Sequence, residues 1–113
     1  MLKKIECYIQ PFKFEEVKGA LKDIAIEGMT VTEVRGCGKQ LGYTEKTPPG
    51  APIKLLPKIK IEIVTEEEKV EEMINMIQKL AQTNQIGAGK IFVIPVEDVI
   101  RIRTKERGRR AIE

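Results

Sequence analysis

Histidine, serine and tryptophan are absent from this sequence, and its 113 residues include only two cysteines, two tyrosines and three phenylalanines. Without histidine and serine, the usual pairings of nucleophile and general base are missing, which argues against hydrolase or transferase chemistry. A centre of sulfur and imidazole is excluded too, because Cys7 and Cys37 are distant and unpaired in spacing. Both are expected to be reduced thiols, and any metal would be oxygen-bound. No apolar run approaches the roughly 20 residues that span a bilayer, and the opening MLKKIECYIQ lacks the apolar stretch of a signal peptide. The expectation is a cytoplasmic protein with no direct membrane insertion. A strong excess of one charge is also lacking: 20 basic and 17 acidic residues leave +3, too little to imply nucleic acid, although RIRTKERGRR is locally basic.

What is present is enough for one domain with a single core. Lys3 to Ile9 alternates, with Ile5, Cys7 and Ile9 on one face and Lys4, Glu6 and Tyr8 on the other, as in a half-buried strand. Pro11 stands at a helix start; Phe14, Val17, Leu21 and Ile24 follow at helical spacing until Gly28. MTVTEV is rich in β-branched residues and predicts a second strand. Residues 39–56 have no period and are crowded with glycine and proline, predicting a long flexible loop where connections are usually about 4–6 residues. Lys58 to Val64 alternates again, with Ile59, Ile61 and Ile63 inward. Thr65 and Glu68 read as a capping box for a helix carrying Val70, Met73, Ile74, Ile77, Leu80 and Ala81, and Glu66, Glu67 and Glu68 suit its dipole. IFVIPV predicts a buried fourth strand, with Pro95 marking an edge or an end.

The order βαββαβ is that of the α+β ferredoxin-like fold, one four-stranded antiparallel sheet with both helices on one face. The other face would display Lys4, Glu6, Tyr8, Lys58, Lys60 and Glu62, a flat surface that self-association could cover. A basic tail, residues 104–113, would follow the domain.

Glycines and basic residues gather near the predicted strand ends. Gly36-Cys37-Gly38-Lys39-Gln40 follows the second strand, Gly87-Ala88-Gly89-Lys90 precedes the fourth, and Arg101-Ile102-Arg103 comes after it. Glycine lets backbone N–H groups approach an anion, lysine adds a point charge, and arginine's planar fork suits phosphate oxygens. Together they describe a polyphosphate site. It is not a P-loop, because Lys90 is followed by Ile91 and a strand rather than by Ser or Thr and a helix.

The stretches KKIECYIQPFK, GMTVTEVRGCGKQLGYTE, LLPKIKIEIV, TNQIGAGKIFV and VIRIRT, in this order, resemble the P-II nitrogen-regulatory signal-transduction proteins, from about Lys3 to Thr104. The resemblance implies a non-catalytic homotrimer that binds ATP or ADP in clefts between neighbouring subunits. Matched position by position, it implies nucleotide contacts from Thr30, Gly38, Lys39, Glu62, Val64, Gly87, Gly89, Lys90, Arg101 and Arg103, with Glu62 at the adenine end. It further implies 2-oxoglutarate sensed through Mg2+ on the ATP phosphates, with Gln40 as the metal ligand, Lys58 meeting the distal carboxylate and Gly87 beside it. Implied partners are an ammonium channel, nitrogen-assimilation enzymes or nitrogenase-related proteins, reached through the long loop.

Departures from the family pattern bear on that loop. It is shorter than usual and reads PGAPIKLL where many members carry a modifiable tyrosine, so uridylylation is not expected; Tyr43 stands where relatives often have histidine. Gln85 replaces a usually basic residue and Ala88 an acidic one. Two other classes compete. An RNA-binding ferredoxin-like module would need aromatic residues on the open sheet face, where the alternation supplies only Tyr8. A slow ATPase would depend on Lys90.

Overall fold

A computed structural model describes residues 1–25, 27–38, 41–42, 44 and 46–113. Strand β1 (Leu2–Ile9) leads through a 3-10 turn at Pro11–Lys13 into helix α1 (Phe14–Leu21), then β2 (Thr30–Gly36). After the long loop come β3 (Leu56–Glu66), a second 3-10 turn at Glu67–Lys69, helix α2 (Val70–Ala81) and β4 (Gly89–Pro95), and a short helix α3 (Arg109–Ile112) follows. The strands form one sheet in the order β2-β3-β1-β4, every neighbouring pair antiparallel. This is the ferredoxin-like arrangement.

The core lies between the sheet and the two longer helices. Ile5, Cys7 and Ile9 of β1 and Ile59, Ile61 and Ile63 of β3 meet Val17 and Leu21 of α1 and Val70, Met73 and Ile77 of α2. Burying each large aliphatic side chain here contributes about 1.5–3 kcal/mol, so the two central strands and the helix stripes carry most of the stabilisation. The period-2 and helical patterns therefore identify the core correctly. Burial also pushes the Cys7 thiol up to about 11, which keeps it protonated and inert. Both cysteines are free thiols. No helix among the described residues is long and apolar enough to cross a membrane.

Three local expectations need correction. The capping box does not form: β3 runs on through Thr65, whose side chain is fully buried on the core face with its hydroxyl unpartnered among the described residues. The 3-10 turn then separates it from α2, which begins at Val70 without a side-chain cap. Helix α1 ends at Leu21 rather than near Gly28; Ile24 N–H and Ala25 N–H share the Leu21 carbonyl in the turn that follows, and Ile24 still packs on the core. Strand β4 is not buried. It is an edge strand that leaves Phe92, Val93 and Ile94 exposed, and Gly89 and Lys90 lie within it rather than before it. The basic segment 104–113 follows β4 and makes contacts of its own. Ile100 bridges Arg107, and α3 is anchored by Arg109, whose Nε is 2.7 Å from Glu66 Oε1 at the end of β3.

Candidate ligand-binding site

The register of the sheet decides which residues share its open face. Paired residues in antiparallel strands point the same way. Row by row, the face not covered by helices presents Val64, Lys4 and Ile94; then Thr30, Glu62, Glu6 and Phe92; then Thr32, Lys60, Tyr8 and Lys90; then Val34 and Lys58. Four of its charges pair with one another: Lys4 Nζ donates to Glu62 at 3.0 Å, and Lys60 lies 3.6 Å from both Glu6 and Glu62. The hydrogen bond from Lys4 holds the Glu62 carboxyl below its ordinary range, and the same bond raises Lys4. Tyr8 meets Phe92 edge to face with ring centroids 6.0 Å apart. Phe92 and Ile94 thus belong to this surface, although the unbroken apolar run IFVI carries no alternation that would reveal it. The open face has two aromatic residues, not one.

One end of the sheet gathers the glycines. The last residues of β1 and β2 lie beside the first residues of β3 and β4, because each neighbouring pair is antiparallel. A cleft of about 690 Å³ opens there, lined by Gly36, Cys37 and Gly38, by Lys58, and by the loop from Gln85 into Lys90. Gly89 has φ +124°, and a Cβ there would stand 1.8 Å from the Tyr8 carbonyl oxygen, so only glycine lets β4 close on β1. Gly87 also has a positive φ, +95°. Its carbonyl oxygen accepts from Lys58 Nζ at 2.9 Å and from the Gln10 side-chain amide, tying the loop to β3 and to the end of β1. Sequence reasoning did not single out Gln10, since a lone amide after a strand carries no periodic signal.

Five of the sequence-derived residues therefore converge on this cleft: Gly38, Lys58, Gly87, Gly89 and Lys90. Lys39 and Gln40, like Tyr43, lie outside the described residues. The loop base beside them is tight, because Leu41 N–H donates to the Gly38 carbonyl and Lys54 N–H to that of Leu41.

The other five are elsewhere. Thr30 and Glu62 pair directly, four residues up β3 from Lys58, and Val64 is two residues further. Arg101 and Arg103 lie beyond Pro95, past the opposite end of β4 from the glycine loop; seven residues of strand separate them by roughly 20 Å or more. Nor do these two arginines extend side by side. Residues 102–104 turn, and Arg101 is held by Glu106 Oε1 at 2.7 Å and by the Arg110 and Glu113 carbonyls. Arg103 and Lys90 are exposed and make no side-chain bond among the described residues. Within this chain the glycines and lysines gather at one end of the sheet and the two arginines lie past the other, with Glu62 and Val64 on the open face between them.

Comparison with known proteins is consistent along the whole chain. The family described as Nitrogen regulatory protein P-II matches residues 2–106. A nitrogen regulatory protein P-II of Azospirillum brasilense is 54% identical over 113 residues, covering 98% of this chain and 100% of its own. Nitrogen regulatory protein P-II 2 of Methanothermobacter thermautotrophicus is 52% identical over 112 residues, covering 98% and 97%. Among solved structures, the crystal structure of Arabidopsis thaliana PII bound to citrate superposes with TM-score 0.77 at 43% identity, covering 97% of this chain and 91% of that one.

Proposed function

This chain belongs to the nitrogen regulatory protein P-II family, whose members are non-catalytic signal-transduction regulators, and from that membership we propose that it works as a homotrimer reading adenylate and 2-oxoglutarate levels. ATP or ADP enters the cleft between neighbouring copies. Gly38, Lys39, Gly87, Gly89 and Lys90 of one copy surround the phosphates, while Thr30, Glu62, Val64, Arg101 and Arg103 come from the other half-site, with Glu62 toward adenine. The observation that carries this reading is the distance between the half-sites. Arg101 is held past the Pro95 end of β4 by Glu106 and by the Arg110 and Glu113 carbonyls, so within its own subunit it does not run back to the loop before Gly89. A second copy can supply it there. The open face, with Phe92, Ile94, Val64 and internally paired charges, is chemically suited to cover its equivalent.

With nucleotide in place, 2-oxoglutarate would add beside it, its distal carboxylate meeting Lys58. Lys58 already reaches into the cleft to the Gly87 carbonyl, so the cation is at hand. No cluster of three His, Cys, Asp or Glu exists among the described residues, so Mg2+ would be held mainly by ligand oxygens, with the Gln40 amide as protein donor. The ion would supply charge neutralisation between phosphates and the 2-oxo acid. The citrate of the Arabidopsis structure favours a family site receptive to small carboxylates. Because the loop at 39–56 springs from the base of the cleft, a ligand that prefers one arrangement of that base biases the loop and hence its partners, an ammonium channel or nitrogen-assimilation enzymes.

Calorimetric titration with ATP, ADP and AMP, alone and with Mg2+ and 2-oxoglutarate, tests the proposal, alongside the sedimentation mass. The expected result is a trimer in which 2-oxoglutarate binds only with MgATP, and in which Arg103→Ala weakens nucleotide binding while Gln40→Ala mainly affects the 2-oxoglutarate response. A monomer, or nucleotide affinity indifferent to Arg103 and Lys90, would overturn it.

A further inference from the structure

Arg101 is already occupied. Its Nη1 donates to Glu106 Oε1 at 2.7 Å, and its Nη2 donates to the Arg110 carbonyl at 2.9 Å and the Glu113 carbonyl at 2.6 Å. The segment that supplies these acceptors is a closed unit. Asp98 accepts from Val99 N–H, Gly108 N–H and the Arg107 guanidinium, Ile100 bridges Arg107, and Arg101 N–H donates to the Glu106 carbonyl. Hydrogen bonding by Val99 N–H, reinforced by Arg107, holds the Asp98 carboxyl below its ordinary range. Arg101 thus sits among acceptors of its own chain, one of them a carboxylate, whereas Arg103, two residues on, has none among the described residues.

We propose that Glu106 is a specificity-determining residue, an internal anion that stands in for phosphate on Arg101 and must be displaced before a polyphosphate ligand can use that guanidinium. The proposal rests on the nucleotide reading above. Its physical content is a competition for one planar fork. A bound polyphosphate would have to break the Arg101–Glu106 pair and also come near the Glu106 charge, and both oppose it. A ligand without phosphate meets neither penalty. Glu106 therefore sets a threshold of ligand charge, and removing its charge lowers that threshold.

The test uses the full chain and its Glu106→Gln variant, isosteric and at a partly exposed position, titrated with ATP, adenosine and inorganic tripolyphosphate. Glu106→Gln should bind ATP and tripolyphosphate about two- to fivefold more tightly, the scale of one exposed ion pair, with adenosine unchanged. In the parent, ATP should also speed amide exchange across 109–113 as Arg101 leaves the Arg110 and Glu113 carbonyls. Unchanged or weaker ATP binding by a folded Glu106→Gln protein, or equal tightening toward adenosine, overturns the proposal. If tripolyphosphate binding tightens while ATP and adenosine bind neither protein, the competition stands and the nucleotide reading falls. If no anion binds either protein, both fall.

Discussion

Replacing Gly89 with alanine should damage this protein at both its fold and its cleft. The backbone there has φ +124°, a region costing an L-residue about 1–3 kcal/mol. The new Cβ would also lie 1.8 Å from the Tyr8 carbonyl oxygen and 3.0 Å from its carbon, with Ile9 Cα next at 3.4 Å. These are backbone atoms, so no rotamer change relieves the clash. Strand β4 must lift from β1 at the Ile9–Gly89 and Tyr8–Lys90 pairs, and each ladder group left unpaired adds about 1–3 kcal/mol. With even one ladder group left unpaired the combined loss is about 2–6 kcal/mol, a large part of the roughly 5–15 kcal/mol available to a domain. Urea unfolding followed by circular dichroism at one fixed protein concentration measures it. Gly50→Ala, at φ +77° with open space around it, isolates the conformational cost, and Gly36→Ala, with open space and no positive φ, should change stability by less than about 1 kcal/mol. A Gly89→Ala protein within about 0.5 kcal/mol of the parent would refute the claim that close approach of β4 to β1 depends on this glycine. Because Lys90 follows directly, retained ATP affinity in a destabilised Gly89→Ala protein would separately refute its place in the phosphate site.

Thiol titration at pH 8 should find one reactive cysteine in the native protein, Cys37 at the cleft, and two after denaturation, since burial raises Cys7 to about 11; simultaneous reaction of both would contradict the packing. ATP should slow the reaction of Cys37. Stability should hold from neutral pH downward and then fall as acid protonates Glu62 and Asp98: both are depressed in the folded state, so their contribution is present above the ordinary carboxylate values of 4.5 and 3.8 and is lost through the lower folded ones. In urea midpoints measured against pH, Glu62→Gln should show a shallower acid limb, and an unchanged limb would remove Glu62 as a contributor. Gln10→Ala leaves Lys58 as the sole described side-chain donor to the Gly87 carbonyl, so drawing Lys58 onto a ligand would orphan that oxygen; the 2-oxoglutarate response should weaken more than ATP binding does. Equal losses would assign Gln10 a purely structural role.

Periodicity located helices α1 and α2, strands β1 and β3 and the core residues Ile5, Cys7, Ile9, Ile59, Ile61 and Ile63, because half-burial imposes a period of two on strands and about 3.6 on helices, whereas β-branched and apolar composition pointed to β2 and β4. It also separated Lys58, Lys60 and Glu62 from their inward neighbours. It failed at Thr65, where the pattern Thr-x-x-Glu fits a helix cap and a strand end equally well, and longer pairing of β3 with β1 prevailed. It failed again at Phe92 and Ile94, since an unbroken apolar run does not say which side faces out.

The amino-acid order by itself determined the kinds of group available: glycines that admit an anion, cations without a histidine or serine beside them, and a chain able to make one sheet and one helical layer. Only the tertiary structure decided where those groups stand. Antiparallel register carried Lys58, Gly87 and Lys90 to one end of the sheet and Arg101 and Arg103 to the other, and folding of the last residues gave Arg101 its own acceptors. Local sequence cannot encode such distances, because they depend on which strands pair and on what a free guanidinium meets when the chain turns back on it.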